Sequence, residues 1–141
     1  MKLKCKCGKF PGLDTMSDYD VTIGYTEDNI QSVLDGEKWF TVRDPAEYDR
    51  LGIMQSVQFE NRVGIKVDGE IVGSVLPVAV IPISVVDVVG SDWLGKRSPY
   101  TSIDSLCSVL EKHYGKTYGV DSPVDLIFHR YAEPVNTPKH I

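Results

Sequence analysis

Lys38, Thr41 and Arg43 stand close together in the stretch Gly36-Glu37-Lys38-Trp39-Phe40-Thr41-Val42-Arg43. Their types suit nucleophilic chemistry. A threonine hydroxyl is a poor nucleophile at neutral pH and needs a base. A lysine desolvated against Trp39, or set beside a like charge, has its pKa lowered enough to be that base. Attack on an amide carbonyl, then protonation of the departing amine by an acid, would complete an amide hydrolysis. Arg43 can fork onto a phosphate or carboxylate, or pair with Asp44 or Glu47 beside it. The plainer alternative is a surface lysine at a strand start and a threonine present as a β-former.

The elements around this stretch decide whether the groups can meet. Tyr19 to Tyr25 alternates Tyr19, Val21, Ile23 and Tyr25 against Asp20, Thr22 and Gly24, the period of a half-buried strand. Thr26 is placed to cap a helix whose first turn holds Glu27 and Asp28. Ile30, Val33 and Leu34 form its apolar face, and Gly36 ends it. In a regular strand from Lys38, residues 38, 40 and 42 share one face and 39, 41 and 43 the other, so the amine and the hydroxyl diverge. They converge only if Lys38 still belongs to the irregular turn after Gly36, or if the strand carries a bulge.

Beyond Asp44-Pro45, the segment 45–51 reads as a helical turn. Ile53 to Phe59, Arg62 to Asp68 and Glu70 to Leu76 read as strands, with Asp68-Gly69 as a hairpin turn. Val78 to Val89 is another β-branched run, bent at Pro77 and Pro82. Gly90 to Tyr100 is a loop. A helix capped at Thr101 or Ser102 buries Ile103, Leu106, Val109, Leu110 and His113, and Gly115 closes it. Val124 to Tyr131 supplies the last strand, with His129 inside it and no chemistry assigned to His113 or His129. Strands this dense predict a closed barrel.

The pattern G-x-K-x-x-T-x-R, carried by Gly36, Lys38, Thr41 and Arg43, resembles the signature of the ASCH domains, a branch of the PUA-like β-barrels linked to RNA. Most members carry Glu where Thr41 stands. Threonine there resembles the small ASCH amidohydrolases that deacetylate N4-acetylcytidine. By order of elements the resemblance spans roughly Asp18 to Tyr131, closest in this motif and the C-terminal strand. It implies an α+β fold, a PUA-like (ASCH) mixed β-barrel of five to six strands with two main flanking helices. It further implies that Lys38 and Thr41 are catalytic and that the partner is RNA or a modified nucleoside.

In those amidohydrolases a glutamate before the last helix joins the pair. The matching place here falls near Arg97 to Pro99, and the loop Gly90 to Tyr100 contains no Glu; Asp92 is its only acid and the substitute proton donor. Trp93 and Tyr100 in that loop can stack a base, or plug the barrel mouth. Arg97 stands with them, and Trp39 and Arg43 complete the expected substrate contacts. Two rival readings stay open: a module that binds RNA or a modified base without turnover, and a ribonuclease.

Bulk properties narrow these readings. The 141 residues suit one domain, with an arm over 1–17, the barrel over 18–131 and a tail over 132–141. Cys5, Cys7 and Cys107 do not make a disulfide framework. Cys5 and Cys7 are half of a metal site at most, and no second ligand pair accompanies them, so neither metal nor cofactor is expected. No apolar run reaches the ~20 residues of a spanning helix, and no secretory signal is visible, so a cytoplasmic location without membrane contact is expected. The net charge is −5, and Lys2, Lys4, Lys6 and Lys9 contribute +4 before the first acid, leaving −9 for the rest. Tight grip on a long polyanion is disfavoured, while a nucleoside-sized ligand is not.

Overall fold

The structure, a computed structural model, describes residues 19–90 and 102–135. Its elements are β1 (Thr22–Gly24), α1 (Glu27–Leu34), β2 (Phe40–Arg43), α2 (Arg50–Phe59), β3 (Val63–Val67), β4 (Glu70–Ser84), α3 (Val85–Val89), α4 (Ile103–Tyr114) and β5 (Pro123–Pro134). The strands form one α+β mixed sheet in the order β1-β3-β4-β5-β2, with β1 parallel to β3 and every other pair antiparallel. It curls into a half-barrel. Among the described residues the full closure read from the sequence is absent, because β1 and β2 remain sheet edges with no ladder between them.

Local signals account for much of this. Thr26 sits at the N-cap of α1 with extended backbone, and Gly36 leaves the helix with φ of +80°. At the β3–β4 turn Asp68 and Gly69 have φ of +50° and +85°, the two positive angles that a two-residue hairpin needs. The Ser102 hydroxyl accepts from the Ser105 amide to cap α4, and Gly115 closes it with φ of +68°.

Three segments differ from expectation. Residues 53–59 belong to helix α2, not to a strand: the Asp49 carboxylate accepts from the Gly52 amide at 3.0 Å, and Ile53 and Ser56, three apart, face the core. Val85–Val89 is a short helix despite its β-branched content. Its Val85 and Val88 are fully buried, and the amides of Val85 and Val86 donate to the Ser122 and Val120 carbonyls. The last strand runs on to Pro134, past the expected tail boundary, and the Val135 amide still donates to the Val72 carbonyl. Pro77 stands where the β4–β5 register shifts, as a residue without an amide proton should.

Two apolar clusters lie on either side of the β2–β5 pair. Phe40, Val42, Val124 and Leu126 face α3 and α4, packing on Val85, Val88, Leu106 and Leu110. Ile127 faces the inside of the half-barrel with Ile23, Ile53, Val63, Ile65 and Val75. Since Thr41 pairs with Ile127 and Arg43 with Asp125, Thr41 and Arg43 take that inner face as well.

A cation-rich candidate site at the open edge

Lys38 and Thr41 line one cleft. Strand β2 begins only at Phe40, and Lys38 lies in the irregular segment before it, tethered by its amide to the Ser32 carbonyl of α1 at 2.9 Å. Lys38 therefore escapes strand alternation. It lines one cleft of about 380 Å³ together with Thr41 and Arg43. Val42, Leu110 and His113 line the same cleft, so it wraps round the free edge of β2 from the inner face to the α4 side. Its volume is at the lower end of the range for small-molecule sites.

The electrostatics follow from which groups are buried together. Burial lowers the Lys38 pKa from 10.5 to about 8, and the Arg43 charge lowers it further within that shift. The ring beneath the amine is that of Phe40, with Nζ 5.7 Å from its centroid. Thr41 is 4% exposed, and its Oγ1 accepts from Arg43 Nε at 3.1 Å. Arg43 also donates through Nη2 to the Gly24 carbonyl at 2.6 Å, and its guanidinium lies 4.9 Å over the Tyr25 ring. A side chain thus spans the gap between the two sheet edges that no ladder closes.

Ion pairing of Arg43 with Asp44 or Glu47, the alternative open from sequence, does not occur. Asp44 accepts from the Tyr118 hydroxyl at 2.5 Å and from Lys116 at 3.2 Å, while Glu47 pairs with Lys116 at 2.8 Å. Asp125, opposite Arg43 in the ladder, is taken up by Arg50 at 2.6 Å and by the Tyr48 hydroxyl at 2.7 Å. Among the described residues, no carboxylate is within ion-pair distance of Lys38 or Arg43.

Tyr25, which sequence reasoning did not assign, lines the cleft, and the buried His129 stands behind it. The Tyr25 hydroxyl shares a 2.7 Å hydrogen bond with His129 Nε2. Burial, then the charges of Lys38 and Arg43, hold the His129 pKa down at about 4, so the imidazole is neutral at physiological pH. Alternation along β5 puts Asp125, Ile127 and His129 on one face, but only the β2–β5 pairing places that face behind Thr41. Lys66 of β3 and Asp68 of the hairpin also line the cleft.

Trp39 goes elsewhere. It stacks on Phe128 with centroids 5.5 Å apart and lines a separate apolar groove with Val78 and Arg130. Trp39 is not among the residues that line the Lys38 cleft, and the ring under the amine is that of Phe40. Asp92, Trp93, Arg97 and Tyr100 lie outside the described residues, as do Cys5 and Cys7. Among the described residues no group of His, Cys, Asp or Glu is arranged to hold a metal ion, and no helix is long and apolar enough to cross a membrane.

No protein-family model and no curated protein matches the sequence. Among solved structures, the chain is similar to a mutant of the ZmASCH protein from Zymomonas mobilis, with a TM-score of 0.54 and 12% identity over 86% of this chain and 75% of that one. At that identity the likeness speaks to architecture. The α+β half-barrel, with four helices among the described residues, matches an ASCH/PUA-like fold.

Proposed function

We propose that this ASCH/PUA-like protein hydrolyses an acylated exocyclic amine on a pyrimidine nucleoside, of the N4-acetylcytidine type, with Lys38 as base and Thr41 as nucleophile. One observation carries the reading: a buried amine whose pKa is lowered to about 8 opens on the same cleft as a buried hydroxyl that accepts from a guanidinium. At pH 7 roughly a tenth of such an amine is neutral, against less than a thousandth for an ordinary lysine. That fraction takes the Thr41 proton, and the Arg43 N–H favours the developing alkoxide.

Oγ1 then bonds to the amide carbon. The protonated Lys38 returns its proton to the nitrogen as the C–N bond breaks, and water hydrolyses the resulting ester on Thr41. In this scheme Lys38 serves as base and then as acid, so the missing loop glutamate is not essential. Asp92 is the second candidate for the donor role, with Trp93, Arg97 and Tyr100 as candidate contacts to the base. His129 stays neutral and, with Tyr25, keeps the wall behind Thr41 fixed.

A second reading has its own support. Among the described residues no carboxylate is bonded to Lys38 or Thr41, and a site lacking a separate acid suits recognition of RNA or a modified base without turnover. Incubation with N4-acetylcytidine distinguishes the two. The wild type is expected to release cytidine, and Lys38→Ala and Thr41→Ala are expected to abolish release while unfolding cooperatively. Absence of release by the wild type, with labelled RNA still bound, favours the binding module.

A further inference from the structure

We infer that two copies of this chain pair reciprocally, Phe59 of each seated in an apolar groove of the other, with Glu60 meeting Arg130 across the contact. The contact stands apart from the cleft. Phe128, whose ring stacks on Trp39 in that groove, alternates along β5 with Ile127, the register partner of Thr41, and so takes the opposite face of the strand.

The groove is the first half of the contact. It has a volume of about 450 Å³, and, Arg130 and His129 apart, its walls are Trp39, Val78, Ala79 and Phe128. Val78, skipped by the β4–β5 register, is 42% exposed. Arg130 is exposed and lies over the Tyr131 ring, and among the described residues no carboxylate is within ion-pair distance of it. Trp, Tyr and Arg are the residue types that dominate binding at protein interfaces. An apolar groove with a lone cation beside it fits an apolar side chain that has an acid next to it.

That pair stands at the end of α2. Phe59 is 64% exposed, and Glu60 follows it with φ of +57°. The chain leaves α1 and α4 through Gly36 and Gly115 in the same left-handed conformation, which disfavours a side chain. An acid at a helix C-terminus also opposes the helix dipole. Against both preferences the chain places a carboxylate here, and among the described residues it makes no ion pair. A residue that breaks local rules with no compensation inside the chain points to a contact outside it.

The two halves lie at one end of the molecule. Arg62, three residues past Phe59, donates to the carbonyls of Ser74 and Tyr131, the latter next to Arg130. A knob with an acid and a groove with a base on one chain make it self-complementary, as an isologous two-fold contact requires. Leu51, Met54, Gln55 and Gln58 add an exposed face of α2 without charge, so copies of net charge −5 approach there with no like charges opposed.

The test is sedimentation velocity of the full chain under reducing conditions, which keep Cys5 and Cys7 from linking copies. An interface this small binds weakly, so the wild type is expected to pass from monomer to dimer between about 1 µM and about 500 µM. Arg130→Glu and Glu60→Arg alter exposed side chains, and each alone opposes like charges twice per dimer. Each is expected to weaken association roughly 100-fold or more. Mixed in equal amounts, the two variants are expected to dimerise as the wild type does, because every contact in the mixed pair joins opposite charges. Phe59→Ser is expected to stay monomeric with an unchanged thermal melt. A wild type that remains monomeric throughout that range overturns the inference. So does a dimer that survives either charge reversal, or a mixture that stays monomeric. Mass is read without turnover, so the outcome is independent of the hydrolase reading.

Discussion

Replacing Lys38 by methionine should make the protein more stable while abolishing the proposed cytidine release. The amine is lowered from 10.5 to about 8, chiefly by burial. At ~1.4 kcal/mol per pH unit, keeping it protonated in the folded state costs about 3 kcal/mol. Partial exposure and the Phe40 ring beneath the ammonium offset some of that, leaving about 2 kcal/mol. Methionine has a similar unbranched reach and no charge to desolvate.

The sign with pH is fixed by linkage. Because the folded pKa lies below the unfolded one, the cost is present in full below about pH 8. It fades as pH rises from about 8 to 10.5, where only the unfolded chain still holds the proton, and it is gone above. Urea unfolding of both proteins should therefore show Lys38→Met more stable by about 2 kcal/mol at pH 7, with unchanged m values, and the gap should narrow at alkaline pH. A variant that is less stable at pH 7, or a gap indifferent to pH, would show that the Lys38 amine is not held at a cost in the folded protein.

His129 should set an acid limit. Its folded pKa of about 4 lies below the usual 6.5, so stability falls as pH drops from 6.5 towards 4, by up to ~3 kcal/mol. His129→Gln, which keeps an acceptor for the Tyr25 hydroxyl, should flatten that limb in thermal melts between pH 7 and 4. Arg50→Ala leaves the fully buried Asp125 carboxylate with Tyr48 alone and should cost about 2 to 3 kcal/mol, with Arg50→Lys recovering part, read as a shift in urea midpoint. Gly73→Ala puts a Cβ 2.4 Å from the Glu133 carbonyl oxygen across the β4–β5 ladder, and about 2 kcal/mol should be lost in the same assay.

How far the chain could be read in advance depended on where each signal resides. Helices α1 and α4 and the β3–β4 hairpin are announced by residues inside them: Thr26 and Gly36, Ser102 and Gly115, Asp68 and Gly69. Helix α2 was hidden because its cap, Asp49, lies behind the Pro45 turn, and because Ile53, Val57 and Phe59 fall at strand-like spacing although Phe59 ends up exposed. Helix α3 is made by tertiary contact to Val120 and Ser122 against the preference of its valines.

The site divides in the same way. That Lys38, Thr41 and Arg43 share a cleft was within reach of the sequence because they are neighbours in it, and Lys38 lies in the irregular turn that follows Gly36. His129 was not, since its partner Tyr25 is 104 residues away and its pKa is set by charges on other strands. The position of Trp39 was not legible, because alternation counted from an irregular start carries no information about its face; its ring stacks on Phe128.

Whether the Lys38 amine acts as the base is decided by the pH dependence of cytidine release from N4-acetylcytidine. The wild-type kcat/KM should rise with pH through a single apparent pKa near 8 as Lys38 loses its proton, and Lys38→Met should retain no such release. Release by the wild type that is flat across that range and shared by Lys38→Met would contradict it.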